Sequence, residues 1–184
     1  PKKKTTHGNL IEVLRYGENP HQQSAIYGKN NNLDIIQLSG KKLSYNNYND
    51  IYASLNISKT LPKNIGTVVV KHANPCGVSI NKNKMLSVKE ALACDPISAF
   101  GGIVSCNFKV TKKAAVELNK LFLEVIIGTG FDRDSLKILK KNKNLKLIHS
   151  SKLHNQRLND VKSNFNYFLY KNLDVKKINK LIYL

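Results

Sequence analysis

Residues 66–72 read GTVVVKH, and positions 67–70 are four β-branched residues in a row. A strand with one wet face alternates apolar and polar side chains. An unbroken β-branched run instead suits a strand covered on both faces. A chain that contains it needs packed layers above and below a sheet. The residues after the run are odd for a core strand: Lys71 and His72, then Asn-Pro-Cys-Gly at 74–77. Consecutive strand residues point to opposite faces, so both ionisable groups can serve one site only where the strand stops. NPCG reads as the corner that stops it. If the strand is central and parallel, its carboxyl end is where ligand crevices of open α/β sheets form. Imidazole is the side chain suited to taking a proton near pH 7. Taken alone, the pair reads more readily as a histidine capping a turn beside a lysine reaching to water.

The remaining elements support a layered fold. LDIIQL (33–38) reads as a short strand, SYNNYND (44–50) as a polar turn region and 50–61 as a helix closed by Pro62 and Gly66. Ser87 with Glu90 has the spacing of a capping box at the start of SVKEALAC. After a turn at Asp95-Pro96, AFGGIVSCN (99–107) reads as a second buried strand. Thr111 is a fair N-cap for an amphipathic helix over 112–123, with Ala114, Leu118, Leu121 and Phe122 at helical spacing. EVIIG is a third strand, and LKLIH (145–149) a fourth. Between them DRDSLKILKKN is a helix with acids first and lysines last, as the helix dipole prefers. Past residue 155, FNYFLY reads as a strand and DVKKINKLIYL as the start of a helix. The alternation predicts an α/β fold with a layered, mostly parallel sheet and flanking helices.

A net charge of +18 invites a nucleic-acid reading. Almost all of it is lysine, however. Only Arg15, Arg133 and Arg157 are arginine, and duplex readers lean on arginine forks for base edges. The charge reads as a lysine-rich solvated surface that can help draw in small anions. Cys76, Cys94 and Cys106 are an odd number with no pairing pattern, which points to a reducing, cytoplasmic compartment. No apolar stretch approaches the ~20 residues that span a bilayer. The basic start PKKKTTHGN is followed by no apolar region of a secretory signal, and Pro1 suggests an excerpted chain whose residues 1–9 are a linker or tail.

Three further stretches could carry chemistry. LRYGENPHQ (14–22) offers Arg15 and Tyr16 beside a Gly and an Asn-Pro turn, and an arginine fork binds phosphate in bidentate fashion. A surface arginine near a turn explains that stretch equally well. CDPISAFGG (94–102) brings paired glycines that let a ligand approach the backbone, although a bulge or close strand packing explains them more simply. The PCG of 75–77 falls short of the zinc-deaminase signature: residue 79 is Ser rather than Cys, and His72 lacks the following Glu. Cys76 therefore reads as a small packing residue, and no metal is expected.

LRYGENPHQ, GKKLSYNN (40–47), VVVKHANPCG and DPISAFGG occur in that order, and EVIIGTGF (124–131) and DSLKILKKNKNLKLI (134–148) come after them. Together they resemble successive motifs of the transformylase domain of the bifunctional purine-biosynthesis enzymes that combine AICAR formyltransferase with IMP cyclohydrolase. The resemblance runs from about residue 10 to residue 150 and weakens after 155. It implies that residues 10–184 are the N-terminal part of such a domain, cut short at the C-terminus and built as a cytidine-deaminase-like unit. It implies formyl transfer from 10-formyltetrahydrofolate to AICAR on the route to IMP. His72 would be the base and Lys71 the stabiliser of developing charge. Arg15, Tyr16, Phe100, Gly101 and Glu124 would bind the nucleotide. Most folate contacts, and a monovalent cation, would lie outside this chain. The resemblance also implies a homodimer with shared sites, and a fragment inactive alone. A deaminase-like hydrolase and a basic nucleic-acid binder are the alternatives. Neither nucleic acid nor membrane is an expected partner.

Overall fold

The structure is a computed structural model and describes residues 8–28, 34–150, 159–164 and 167–172. The chain divides into two units, Pro1–Leu153 and His154–Leu184. The smaller unit contains an antiparallel hairpin, β9 (Asn159–Asn164) with β10 (Tyr167–Asn172). The strand expected at FNYFLY falls largely on β10, whereas the helix expected at the end and residues 1–7 of the linker expected over 1–9 lie outside the described residues; Asn9, expected in that linker, instead opens a strand.

The larger unit opens with a hairpin of β1 (Asn9–Leu14) and β2 (Ser24–Gly28). A six-stranded sheet comes next, in the order β3-β8-β7-β6-β4-β5. Its strands are β3 (Ile36–Ser39), β4 (Gly66–Lys71), β5 (Asn74–Ile80), β6 (Ile103–Val110), β7 (Val125–Phe131) and β8 (Lys146–His149). Five helices accompany them: α1 (Tyr45–Ser58), α2 (Lys84–Ala93), α3 (Pro96–Ala99), α4 (Lys112–Leu118) and α5 (Arg133–Leu139).

Residue alternation divides the core into two layers. Val104, Cys106, Phe108 and Val110 of β6, with Val69, Ile126 and Leu147, pack against Val88 and Ala91 of α2, Ala114, Ala115 and Leu118 of α4, and Leu139 of α5. Ile103, Val125, Ile127 and Ile148 face the other way, onto Tyr48 and Ile51 of α1 and Leu14 of the hairpin. The β-branched run of β4 is fully buried, as a strand covered on both faces must be.

The α/β layering agrees with expectation, and the sheet is mixed. Parallel pairing is confined to β6–β7–β8, while β4 runs antiparallel to both β5 and β6, and β3 antiparallel to β8. The reason is local. Lys71 pairs with Asn74, so the chain reverses over His72 and Ala73 and returns at once as β5. NPCG is the start of that return strand and not the corner. A two-residue reversal can only give antiparallel neighbours.

Two helix starts also differ from the sequence reading. Helix α1 begins at Tyr45, inside the stretch read as a turn, because Ser44 and Asn47 form a reciprocal capping box. Asn83, not Ser87, caps α2, and the Ser87 hydroxyl is instead buried against Thr67 at 2.8 Å. Asp95-Pro96 opens the short helix α3, with the Asp95 side chain accepting from the Ser98 N–H. Thr111 and Asp132 cap α4 and α5, although α4 ends at Leu118, before the predicted limit. No helix among the described residues is long and apolar enough to cross a membrane.

Candidate functional site

The two-residue hairpin places Lys71 and His72 at the rim of the sheet. A hairpin loop of this length favours a type I′ turn with positive φ at both central residues, usually Asn or Gly. Here His72 and Ala73 take φ of 52° and 59°. Left-handed backbone costs a residue with a Cβ about 1–2 kcal/mol, so the surroundings must hold this turn. Asn74 Nδ2 donates to the His72 carbonyl at 2.8 Å, and the Ala73 N–H donates to Asp50 Oδ1 of α1 at 2.7 Å. The His72 side chain is exposed, and no hydrogen bond or ion pair engages its imidazole among the described residues.

The Lys71 ammonium donates to the Phe100 carbonyl at 2.8 Å. One of its three N–H groups is thus used and the other two remain available. The Ser98 side chain and N–H hold the neighbouring Asp95 carboxyl below the ordinary range, and the Lys71 charge adds a smaller part. Gly101 sits at φ 73°, where glycine is the residue without penalty, and its N–H bonds the Phe122 carbonyl at 2.8 Å. The Phe100 and Phe122 rings lie 5.3 Å apart, and both residues are exposed.

Glu124 continues the rim. Its N–H bonds the Gly102 carbonyl at 3.0 Å, and the Lys146 N–H bonds the Glu124 carbonyl at 3.1 Å. The rim therefore runs from the end of β4 across the starts of β6, β7 and β8. Neighbouring strands are about 4.8 Å apart, which puts Lys71 and Glu124, two strands on, roughly 10 Å from each other. This is the amino end of the parallel strands, opposite to the carboxyl-end crevice expected from the sequence. The cause is the reversed direction of β4. Val70 pairs with Ile103, so the end of β4 meets the beginning of β6.

Helix α1 ties the rim together. Asn47 Oδ1 accepts from the Ser44 N–H at 3.3 Å, and Asn47 Nδ2 donates to Glu124 Oε2 at 2.9 Å. An N–H can only donate and a carboxylate only accept, so the amide orientation is fixed. Lys146 Nζ lies 3.9 Å from the same carboxylate oxygen. Three residues on from Asn47, Asp50 reaches the His72 turn. Sequence reading gave neither Asn47 nor Asp50 a role. The S-x-x-N spacing at 44–47 was the available signal for the first, and nothing in the sequence pointed to the second.

Arg15 and Tyr16 lie in the β1–β2 loop. Ser24 Oγ donates to the Tyr16 carbonyl at 2.6 Å, and the Gly17 N–H to the Gln22 carbonyl at 2.9 Å, so the loop braces itself. The Arg15 guanidinium is exposed and stands 5.6 Å from the centre of the Tyr16 ring. Gly17, Glu18, Gln22, Gln23 and Ser24 line an open cleft of about 370 Å³ together with Tyr45, the first residue of α1. The hairpin is fastened to α1 by Tyr48, whose hydroxyl donates to Glu12 Oε2 at 2.9 Å, and by the Lys42–Glu12 ion pair at 2.8 Å. Burial first, and then Glu12, push the Tyr48 hydroxyl far above the usual phenol range, so it stays a donor.

No contact joins Arg15 or Tyr16 directly to Lys71 or His72 among the described residues. Both groups border α1, the loop at Tyr45 and the turn at Asp50. Five residues of helix separate those points by roughly 7.5 Å. No acidic residue occupies the first turn of α1, so the positive end of its dipole faces this region. Cys76 is half-buried, its thiol donating to the Val69 carbonyl at 3.7 Å, with burial and then Asp95 pushing its pKa up. That fits a packing role. Among the described residues no three His, Cys, Asp or Glu side chains converge as a metal-binding group.

The sheet, the capped helix across its rim and the cation–imidazole pair at the hairpin define an α/β unit with a polar site at one end of the sheet's central strands. The chain belongs to the AICARFT/IMPCHase bienzyme family, whose description it matches over residues 1–182. The match extends beyond residue 150, past the point where the motif resemblance weakens. Relatives include the bifunctional purine biosynthesis protein PurH of Prochlorococcus marinus (strain MIT 9515), 44% identical over 154 residues. Those of Caulobacter vibrioides and Clostridioides difficile are 42% and 37% identical. These alignments take in 78%, 80% and 78% of this chain but only 30%, 29% and 29% of the relatives, so the chain spans under a third of their length.

Proposed function

We propose that this chain forms the nucleotide side of a formyltransferase site, at which 10-formyltetrahydrofolate gives its formyl group to the 5-amino group of AICAR. The AICAR amine is conjugated with its ring and is a poor nucleophile. Removing its proton as the new C–N bond forms is general-base work, typically about 10²–10⁴-fold in rate. His72 is the base, since its imidazole is exposed at the rim and free of other partners among the described residues. The attacked formyl carbon becomes tetrahedral and its oxygen gains negative charge. Lys71, with two N–H groups to spare, stabilises that charge. When the intermediate collapses, the C–N bond to the folate breaks and the folate nitrogen regains a proton. Arg15 and Tyr16 hold the phosphorylated nucleotide, aided by the positive end of α1. Phe100, Gly101 and Glu124 complete the nucleotide's binding surface along the rim.

The observation that carries this reading is the convergence on one rim of residues from four separate family motifs: Lys71 on the Phe100 carbonyl, Gly101 beside it, and Glu124 held by Asn47. Most folate contacts, and a monovalent-cation site, belong to the part of the protein beyond this chain. A homodimer completes each site, so the 184 residues alone turn over little or no substrate. A coupled assay with both substrates tests that, and robust turnover contradicts it. The substrate assignment is tested by calorimetry with AICAR. Wild type binds, and Arg15→Ala loses about 10-fold or more in affinity, as expected for a charge-assisted phosphate contact. Equal binding by both proteins refutes the role of Arg15.

A further inference from the structure

We propose that Asp50 is a positioning residue that aims His72. The inference rests on the reading of His72 as the base, but its structural content can be tested without turnover. A two-residue hairpin of His and Ala is built from residues that avoid positive φ, yet both adopt it here. Local bonds account for only part of the turn. The Lys71–Asn74 pair closes the hairpin, and Asn74 Nδ2 fixes the His72 carbonyl. The Ala73 N–H lies between the closing pair and has no ladder partner. Its acceptor comes from 23 residues away, Asp50 Oδ1 at 2.7 Å.

That acceptor is well suited to the task. An ionised carboxylate makes a shorter and stronger bond to a backbone N–H than a neutral group does. Asp50 stands on α1, a helix of 14 residues whose start is set by the Ser44–Asn47 capping box and whose buried face includes Tyr48 and Ile51. The same helix turn carries Asn47, the partner of Glu124. Helix α1 thus sets two rim groups from one rigid body, the His72 turn through Asp50 and the Glu124 carboxylate through Asn47. A turn released from Asp50 relaxes toward negative φ at Ala73 and swings the preceding imidazole off the rim.

The test is NMR on the full 184-residue chain, comparing wild type with Asp50→Ala, Asp50→Asn, Ala73→Gly and the Asp50→Ala/Ala73→Gly double variant. Wild type shows the strong intraresidue HN–Hα cross-peaks at 72 and 73 that positive φ produces, and a protected Ala73 amide. In Asp50→Ala that amide exchanges about 10-fold or more faster and both cross-peaks weaken, while the Val68–Val70 amides keep their shifts. Asp50→Asn, which keeps a neutral acceptor of the same shape, gives an intermediate result and decides the matter if Asp50→Ala fails to fold. Glycine takes positive φ without penalty, so the double variant regains the cross-peak at 72 although the anchor is gone. A merely structural Asp50 would not be rescued this way. Unchanged exchange and cross-peaks in both Asp50 variants overturn the proposal. Addition of AICAR separates the two ideas: if the Asp50 variants disturb the turn but AICAR leaves the His72 ring signals of wild type unmoved, the anchor stands and the reading of His72 as the base falls.

Discussion

Asn47 serves two partners at once, and replacing it by Asp pulls those services apart. Asn47 is buried at 6% exposure, and its amide both closes the cap of α1 and donates to Glu124 at 2.9 Å. A hydrogen bond to a charged group contributes about 1.5–3 kcal/mol. The Glu124 side chain is 45% exposed and retains Lys146 nearby, so water replaces part of what is lost. Asn47→Ala should therefore cost about 1–2 kcal/mol. Asn47→Asp keeps the acceptor for the Ser44 N–H and adds a charge that the helix start favours by about 0.3–1 kcal/mol. It also sets a second carboxylate against Glu124. Two like charges about 4 Å apart repel by about 1 kcal/mol in a water-like medium and about 4 at an effective dielectric of about 20. Exposure of Glu124 favours the lower part of that range. Asn47→Asp should then be less stable than wild type by roughly 1–2 kcal/mol despite keeping its cap. Acidification, which protonates one carboxyl, should close the gap below about pH 4. Denaturant titrations of the three proteins at unchanged m-value decide it. An Asn47→Asp variant as stable as wild type would mean that only the cap matters and that Glu124 is not held by this amide.

A Cβ on Gly77 would sit 2.0 Å from the Ala91 carbonyl oxygen of α2, whereas one on Gly130 meets nothing closer than 3.4 Å. Gly77→Ala should cost about 2 kcal/mol or more, against less than about 0.5 for Gly130→Ala, as read from denaturation midpoints. Burial opposes ionisation of Asp132, but the N–H groups of Ser135 and Lys112 outweigh it and hold its pKa below 3.8. Its stabilisation is present in full above the unfolded-state pKa and is lost as pH falls through the lower folded value. Asp132→Asn should flatten the stability profile below about pH 4 relative to wild type, and parallel profiles would contradict the assignment.

The sequence revealed what depends on periodicity and caps. Thr67–Val70 could only be a doubly covered strand, and Thr111 and Asp132 marked their helices through side chains that bond the first turn. It hid what depends on the direction of a neighbour. Nothing in VVVKHANPCG states that His72 and Ala73, rather than Asn-Pro, make the reversal, because residues with a Cβ rarely take positive φ and Asn-Pro commonly marks a turn. That one turn produces the antiparallel β4, the mixed sheet and the placement of the site at the amino end of the parallel strands. The start of α1 was obscured by its asparagines, which favour turns unless a cap such as Ser44–Asn47 recruits them. The β1–β2 hairpin escaped because its strands are mostly half-buried or exposed and offer no clean alternation. Motif order brought out Lys71, His72, Phe100, Gly101 and Glu124 as a set, but not Asn47 and Asp50, whose importance lies in contacts 77 and 23 residues distant.

The most direct trial of a single nucleotide site is an AICAR titration of the 184-residue chain tracked by amide NMR. One saturating curve shared by Arg15, Tyr16, His72, Gly101 and Glu124 is the predicted outcome. Shifts confined to the lysines of α4 and α5, or separate curves for the Arg15 loop and the His72 turn, would contradict one site spanning the start of α1.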